Sequence, residues 1–237
     1  MTILIFIPAR GGSKGIIGKN LIELNGKPLI QYTLETTREL MGNKTHDWLP
    51  FISTEDAKIS TFCESQGFNM EYKRPKEISG DKSLMIDAIL DALKWLDTMK
   101  SISPDAVLLL QPTSPLRKKS DIINAIKRVE DEEDFSIISV TRMREHPFEC
   151  IETDENGWSY LAKPADEPAG RQEYDDKYFF IDGSFYFASI YFIKHHHSFL
   201  VENKTQYHLL NQRWSIDIDE KEDLLIAKTL LKTHEEY

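Results

Sequence analysis

The chain opens with a strand pattern that runs directly into a loop rich in glycine and basic residues, and this junction constrains its fold more than any other feature. Ile3–Ile7 is a short apolar run, which is typical of a strand inside a sheet. Glycine permits left-handed backbone angles and a close approach to a ligand, and exposed N–H groups between cations form a phosphate cradle. The pattern therefore predicts a polyanion site directly after the first strand. The loop carries three cations and four glycines, namely Arg10, Lys14, Lys19, Gly11, Gly12, Gly15 and Gly18.

Strand and helix patterns alternate through the first 140 residues. This order predicts an α/β fold, in which a doubly wound, mostly parallel, Rossmann-like sheet carries helices on both faces. Ser53-Thr54 is the expected cap of the second helix. Strands are predicted at 3–7, 48–52, 106–110 and 135–140, and helices at 28–41, 55–66, 84–99 and 121–129.

The alternation stops at residues 143–178, which mix charges, prolines and glycine with little periodicity. We interpret this segment as an arm, or a short β-rich subdomain, inserted in a single domain that spans residues 1–237. Ligands of open α/β sheets lie at the carboxyl ends of strands, so the loops after Ile7, Leu110 and Ile218 are the expected site. Beyond the arm, strands are predicted at 179–187 and 214–218, and helices at 189–202 and 221–232.

Composition excludes several classes of protein. A net charge of −10 argues against nucleic-acid binding, because a duplex-binding surface must neutralise phosphates. No stretch approaches the roughly 20 apolar residues of a membrane helix, and no signal peptide pattern precedes the first strand. Cys63 and Cys150 fit no metal or redox spacing and are expected to be reduced thiols. We therefore expect a cytoplasmic protein that binds neither nucleic acid nor membrane.

The glycine-rich loop matches neither of the two common nucleotide-binding motifs. If Gly18-Lys19 is aligned with the end of a Walker loop, Ser13 stands where that motif has its first glycine. Asn20 then replaces the hydroxyl residue, and the dinucleotide pattern Gly-x-Gly-x-x-Gly is absent. A surface loop with solvated lysines is the alternative, but three cations and Asn20 directly after a buried strand favour phosphate binding.

A second candidate follows the strand at 106–110. Pro112 and Pro115 restrict the backbone around Gln111, Thr113 and Ser114. A rigid glutamine at a strand end can recognise a base edge or a hydroxyl, because its amide both donates and accepts. The residues alone leave another interpretation equally open, in which Thr113 and Ser114 only cap turns between a strand and a helix.

A third candidate is a pair of carboxylates near the C-terminus. Alternation along a strand would place Asp217 and Asp219 on the same side, about 7 Å apart, where they can share a Mg²⁺ ion. The alternative is that Asp219 caps the next helix and Asp217 pairs with a lysine. Two isolated cations are weaker candidates for anion binding, namely Arg74 at a strand end and Arg171 in the arm; for Arg74, a solvated turn is the alternative.

Taken together, these motifs resemble the acylneuraminate cytidylyltransferases, or CMP-sialic acid synthetases, which include the legionaminic and pseudaminic acid enzymes. They occur in the order and at about the spacing of that family, and the resemblance spans nearly the whole chain. The matching segments are 7–15 with Lys19-Asn20, 110–117, 216–219, Ser53-Thr54-Glu55, Arg74-Pro75 and Asp182-Gly183.

The resemblance implies a reaction in which CTP and a nine-carbon 2-keto sugar acid give the CMP-sugar and pyrophosphate, with Mg²⁺ as the metal. It also implies a nucleotidyltransferase fold and a homodimer whose arm carries Arg171 toward the partner's sugar. Asp217 and Asp219 would hold the metal. The expected catalytic residues are Arg10, Lys14, Lys19 and Asp219, of which Asp219 is the proton acceptor. The residues expected to contact CTP or the sugar are Ala9, Gly11, Ser13, Asn20, Arg74 and Gln111. The sugar itself is expected to contact Gln111, Thr113, Ser114 and Arg171.

The chain departs from the family pattern at three places. Glu55 replaces a family aspartate, and Asp182 stands where asparagine is common. Where the family often has small hydroxyl residues near the nucleotide, residues 81–85 of this chain are Asp-Lys-Ser-Leu-Met. The nearest alternative is CMP-KDO synthetase, whose loop continues differently after the shared Ile-Pro-Ala-Arg. Another is a nucleotide-binding module that binds CTP without catalysis. Sugar-1-phosphate nucleotidyltransferases and NAD-dependent dehydrogenases would need motifs that this chain lacks.

Overall fold

A six-stranded mixed sheet forms the centre of the molecule. The computed structural model describes residues 1–12, 15–162, 177–212 and 215–234, without the side chains of 233 and 234. Within these residues the sheet has the order β10-β6-β9-β5-β1-β4. The strands are β1 (Thr2–Pro8), β2 (Glu23–Leu24), β3 (Lys27–Pro28), β4 (Asp47–Ser53), β5 (Ala106–Leu109), β6 (Ser136–Arg142), β7 (Ile151–Asp154), β8 (Gly157–Tyr160), β9 (Phe179–Ser189) and β10 (Gln206–Leu209).

Most of the central strands run in one direction. β1 pairs in parallel with β4 and β5, and β6 pairs in parallel with β10. β9 lies between β5 and β6 and is antiparallel to both, so it runs against the other five. The prediction of a mostly parallel α/β sheet is confirmed.

Helices cover both faces of this sheet. Ile3, Ile5 and Ile7 of β1 pack with residues of α1, α2 and α4, whereas Leu4 and Phe6 pack with α3 and α5. These five side chains are fully buried, as the continuous apolar run predicts for a central strand. The helices are α1 (Leu29–Met41), α2 (Ala57–Ser65), α3 (Met85–Lys100), α4 (Lys119–Ile126), α5 (Ile190–His196) and α6 (Lys221–His234).

A third apolar cluster brings the C-terminal segment against the glycine-rich loop. Ile216 and Ile218 are buried with Ile16 of the loop and with Leu224 and Ala227 of α6. This packing fixes the backbone of residues 215–219 beside the first strand, although more than 200 residues separate the two segments in sequence.

Three sequence-based assignments need correction. The cap of α2 is Asp56, not Ser53-Thr54, because Asp56 accepts hydrogen bonds from the amides of Lys58 and Ile59. The predicted helix 189–202 ends at His196, and an unpredicted strand, β10, follows it. The described residues 215–218 form no strand; Ile218 N–H donates to Thr113 O at 2.9 Å. This segment is held by its buried isoleucines rather than by a ladder of hydrogen bonds.

The described part of the arm contains a β-hairpin, β7–β8, which forms a separate two-stranded sheet. All eight of its strand residues are exposed. The rest of the arm, 163–176, lies outside the described residues. Among the helices that the structure describes, none has the length and apolar character needed to cross a bilayer.

Candidate active site

Two neighbouring clefts meet at Asp217 and Asp219. The first has a volume of about 440 Å³ and lies at the carboxyl ends of β1 and β5. The second has a volume of about 500 Å³ and lies between the end of β6 and the start of α6. Both aspartates border both clefts. The first cleft brings together eight of the residues predicted from the sequence, namely Arg10, Lys19, Asn20, Arg74, Gln111, Thr113, Asp217 and Asp219.

Lys19 joins the glycine-rich loop to the carboxylate pair. Gly18, with a φ of 66°, turns the chain into a short 3₁₀ helix that starts at Lys19. The Lys19 side chain is 10% exposed, and its Nζ donates to Ile218 O at 2.8 Å and to Asp219 Oδ1 at 2.7 Å. Gly15 permits this approach, because a Cβ there would lie 2.4 Å from Asp219 O. A cation and two carboxylates are therefore within reach of one bound molecule.

The beginning of the loop is held by side chains rather than left open. Asn20 Nδ2 donates to Arg10 O at 2.8 Å, and Gly11 N–H donates to Glu55 Oε1 at 2.7 Å. Arg10, which lines the first cleft, forms an ion pair with Asp81, with 2.8 Å between Nη1 and Oδ1. The expectation that the loop amides face a ligand is therefore wrong for Gly11, whose N–H already has a carboxylate acceptor.

Arg74 lines the first cleft from a buried position. Its Nε donates to Ser53 Oγ at 2.8 Å, and its Nη2 donates to Ser53 O at 2.6 Å. Burial lowers the pKa of Arg74, and the nearby Glu55 and Tyr72 oppose that shift. The solvated turn considered as the alternative is therefore wrong, because Arg74 is 6% exposed and fixed to β4.

The turn after β5 is held by a buried arginine. Arg117 donates to the carbonyl of Gln111 and to Thr33 Oγ1, the latter at 2.9 Å. Burial lowers the pKa of Arg117, and the carboxylates of Asp182 and Asp217 counteract this. Gln111 and Thr113 border the first cleft, so a rigid backbone presents their side chains at the strand end.

Asp217 and Asp219 differ in environment. Burial raises the pKa of Asp217, and Asp219 adds to this effect, while Thr113, Lys19 and Arg117 oppose it. Asp217 Oδ1 is buried and has no hydrogen-bond partner within the described residues. The side chain of Asp219 is 71% exposed and bonds to Lys19. The two amides that precede α6, of Asp219 and Glu220, donate to Asp223, so Asp219 is not the helix cap.

This donor set suits Mg²⁺ when phosphate oxygens complete the coordination. A buried carboxylate oxygen without a partner is compensated by a cation, and Mg²⁺ commonly takes one or two carboxylates together with substrate oxygens. No cluster of three or more acidic, His or Cys side chains suited to a metal occurs in the described part of the chain. A complete all-protein cage is therefore not formed by those residues, and the carboxylate pair leaves room for a nucleotide.

The second cleft contains cations that the sequence reasoning missed. Arg142 is the last residue of β6, and Arg144 lies two residues beyond it; both line this cleft with Met143, Cys150 and Phe180. They lie at the carboxyl end of a strand in the parallel set, so the strand-end rule would have found them.

The remaining predicted residues do not line the first cleft as described. Ala9 is fully buried beneath it, where its amide donates to Ser53 O at 2.9 Å. Ser114 is 1% exposed, and its hydroxyl has no partner among the described residues. Ser13, Lys14 and Arg171 lie outside the described residues.

Comparison with known proteins identifies the family. The family model "Cytidylyltransferase" matches residues 4–224. The chain is 31% identical to CMP-N,N'-diacetyllegionaminic acid synthase of Legionella pneumophila, covering 100% of this chain and 99% of that protein. It is 28% identical to pseudaminic acid cytidylyltransferase of Campylobacter jejuni, with coverage of 100% and 99%.

Other relatives are longer, and solved structures share the fold. N-acylneuraminate cytidylyltransferase of Streptococcus agalactiae is 26% identical across 95% of this chain, which spans 52% of that relative's length. The structure of CMP:2-keto-3-deoxy-manno-octonic acid synthetase complexed with CTP has a TM-score of 0.68 at 15% identity, covering 99% of this chain and 100% of that one. With the family match across most of its length, this chain belongs to the cytidylyltransferase family and is a nucleotidyltransferase enzyme.

Proposed function

We propose that this enzyme transfers CMP from CTP to the anomeric hydroxyl of a nine-carbon 2-keto sugar acid and releases pyrophosphate. One observation supports this reaction above others: the first cleft, which is lined by Arg10, Lys19 and Arg74, meets the second cleft at Asp217 and Asp219. Lys19 Nζ lies 2.7 Å from Asp219 Oδ1 at this junction. The relatives of this length act, by their names, on legionaminic and pseudaminic acids.

The first cleft is proposed to hold the triphosphate. Lys19 would neutralise the charge that develops on the pyrophosphate as it leaves, and Arg10 would exchange Asp81 for a phosphate oxygen. Preorganised donors of this kind act without reorganisation during the reaction. Gln111 and Asn20 would orient the cytidine, and Lys14 is proposed to join Lys19 at the phosphates.

The second cleft is proposed to hold the sugar acid. Arg142 and Arg144 supply positive charge at its wall, which suits the carboxylate of the substrate. In this arrangement the anomeric hydroxyl lies toward Asp217 and Asp219, where the two clefts join. Asp219 is the proposed proton acceptor, because its carboxylate is exposed to both clefts. Positioning of this kind supplies much of the rate in phosphoryl-group transfer.

Asp217 and Asp219 are proposed to hold Mg²⁺. When bound there, the ion would neutralise phosphate charge and increase the electrophilicity of the α-phosphorus. The orphaned Oδ1 of Asp217 supports this assignment. The protein residues determine where the nucleotide lies, and Lys19 fixes Asp219 in place before the nucleotide arrives.

The arm is proposed to join two copies of the chain. An isolated two-stranded hairpin is marginally stable in water, and β7–β8 exposes Trp158 and Ile151 at 62% and 54%. A second copy would cover these side chains, and Arg171 is proposed to reach the partner's sugar cleft. Because the reaction consumes CTP, we propose that it takes place in the cytoplasm.

A substrate panel tests the function. The protein is incubated with CTP, Mg²⁺ and, separately, sialic, legionaminic, pseudaminic and 3-deoxy-manno-octulosonic acids, and pyrophosphate is measured. Release with a nine-carbon acid supports the proposal. Release only with the eight-carbon acid would show a CMP-KDO synthetase. CTP binding by calorimetry without pyrophosphate from any acid would show a binding module and refute the proposed reaction.

A further inference from the structure

A bulge in the antiparallel strand β9 presses a glycine against the candidate active site. β6 and β9 pair as Ile138 with Tyr186 and as Val140 with Ile181, so Ser139 alone lies opposite residues 182–185. Bulges of this kind bend a strand and redirect its side chains, and they are frequent beside active sites. Here the extra residues bring Asp182 to the lining of the second cleft and Gly183 beside Asp217, where the two clefts join.

A closed set of buried hydrogen bonds holds the bulge. Phe185 N–H donates to Ser139 Oγ at 3.0 Å, and the Ser139 hydroxyl is hydrogen-bonded to Asp182 Oδ1. Asp182 also accepts from Ser184, whose backbone N–H lies 3.2 Å from Oδ1 and whose Oγ lies 2.9 Å from Oδ2. Asp182, Ser139 and Ser184 are each at most 2% exposed. Loss of Ser139 Oγ would therefore leave Phe185 N–H without its buried acceptor and Asp182 with only the two hydrogen bonds from Ser184.

The bulge places Gly183 where three candidate site residues converge. Gly183 has a φ of 74°, and a Cβ there would lie 3.2 Å from Gln111 Oε1, 3.5 Å from Asp217 Oδ2 and 3.8 Å from Ser114 Oγ. The backbone of Gly183 thus forms the wall against which the Gln111 amide and the Asp217 carboxylate rest. Their orientation depends on where the bulge holds this glycine.

We propose that Asp182 and Ser139 are positioning residues, which lock the β9 bulge so that Gly183 fixes the orientation of Gln111 and Asp217. This inference rests on the proposed function, because it assigns a role in the same reaction. Neither residue is required to touch the substrate. Their effect is on the placement of groups that do, and misplacement by about 1 Å is enough to lower a rate roughly a hundredfold.

The test compares two serines of the same strand. Ser139→Ala removes the lock, whereas Ser136→Ala removes a buried hydroxyl whose bond, to Phe199 O at 2.6 Å, lies outside the bulge. Both variants are expected to lose a similar amount of thermal stability. Only Ser139→Ala is expected to lower kcat, by roughly tenfold to a hundredfold. The KM for CTP is expected to change by a smaller factor, since the lysine and arginine contacts remain although Gln111 is displaced.

Two further measurements separate positioning from a general loss of structure. Binding of Mn²⁺ in the presence of CTP, followed by electron paramagnetic resonance, is expected to weaken in Ser139→Ala and not in Ser136→Ala. Asp182→Asn retains an oxygen acceptor for the bulge and is expected to keep more activity than Asp182→Ala. Equal losses in both Asp182 variants would overturn the proposal, because they would assign the effect to charge.

The wild-type enzyme distinguishes failure of this inference from failure of the proposed function. If wild type releases no pyrophosphate with any sugar acid, the proposed function fails first, and weakened Mn²⁺ binding in Ser139→Ala alone would still support the positioning role. If wild type is active and the two serine variants share the same kcat and the same Mn²⁺ binding, the positioning role is refuted.

Discussion

Replacement of Lys19 by methionine tests the central electrostatic argument. Methionine keeps most of the apolar stem and removes the ammonium group, which bonds to Ile218 O and to Asp219 Oδ1. The bond to the buried carbonyl contributes about 1.5–3 kcal/mol, as hydrogen bonds to charged groups do. The bond to Asp219 adds less than about 1 kcal/mol, because that carboxylate is largely exposed. We expect the free energy of unfolding to fall by about 2–3 kcal/mol, which leaves a domain of ordinary stability folded.

The loss of activity should exceed the loss of stability. Removal of one preorganised donor from a site of developing negative charge lowers kcat by about 10²–10³, or roughly 3–4 kcal/mol of transition-state stabilisation. Urea unfolding measures the first quantity, and pyrophosphate release under saturating CTP and sugar measures the second. Lys27→Met is the matched control, because Lys27 pairs with Glu35 on the surface, 3.0 Å away, where both side chains are well exposed. That variant should change stability by less than about 1 kcal/mol and leave kcat unaltered.

Two results would refute this reasoning in different ways. If Lys19→Met is destabilised as expected but turns over at the wild-type rate, Lys19 is only a structural tie between the loop and the C-terminal segment. If kcat falls while the urea midpoint stays at the wild-type value, the bond to Ile218 O contributes little to stability. In that case the magnitude derived from its burial is wrong.

Three further predictions concern other parts of the molecule. Asp217→Asn should abolish Mg²⁺-dependent turnover yet maintain or raise the melting temperature measured without Mg²⁺. Burial raises the pKa of Asp217, so its negative charge is unfavourable in the folded protein without the metal. A melting temperature below that of the wild type would contradict this. Trp158→Glu on the hairpin should convert a dimer to a monomer, as measured by light scattering. Met99→Glu, which replaces a similarly exposed side chain of α3, should leave the dimer intact. A monomeric wild-type protein would refute the proposed dimer. Burial lowers the pKa of His46, although Glu130 opposes this, so the unfolded chain binds the proton more readily and stability is lost as pH falls below 6.5. His46→Gln should reduce that loss between pH 7 and pH 5, and unchanged pH profiles of the melting temperature would show that His46 does not contribute to it.

The sequence predicts those parts of the fold whose pattern is local. The run Ile3–Ile7 is apolar at every position, and both faces of β1 are covered by helices, so its central place could be inferred directly. The 3.6-residue period of α3 is equally plain. The alternation of Ile216 and Ile218 with the two aspartates also survives, although no strand forms in the described residues around them. The alternation of apolar and polar residues therefore predicts which side chains are buried better than it predicts which backbone groups are hydrogen-bonded to each other.

Long-range contacts of polar groups could not be predicted in the same way. No local pattern indicates that Glu55 accepts from Gly11, or that Arg74 is buried against Ser53. Such contacts depend on where loops from different strands meet, and each buried polar group takes whichever partner the fold brings within reach. The sequence therefore indicated which residues are available for chemistry, and the fold determines which of them are already engaged.

The direction of β9 explains why one part of the site was missed by strand-end reasoning. When ligands bind at the carboxyl ends of parallel strands, the expected site residues are those that follow the strands. β9 is antiparallel, and its first residue, Phe179, pairs with Arg142 at the end of β6. Its beginning therefore lies at the edge where β1, β5 and β6 finish, and Asp182 and Gly183 reach the site from inside a strand. In a mixed sheet of this kind, the residues just after the start of the antiparallel strand are candidates for the ligand site, as are the loops that follow the neighbouring parallel strands.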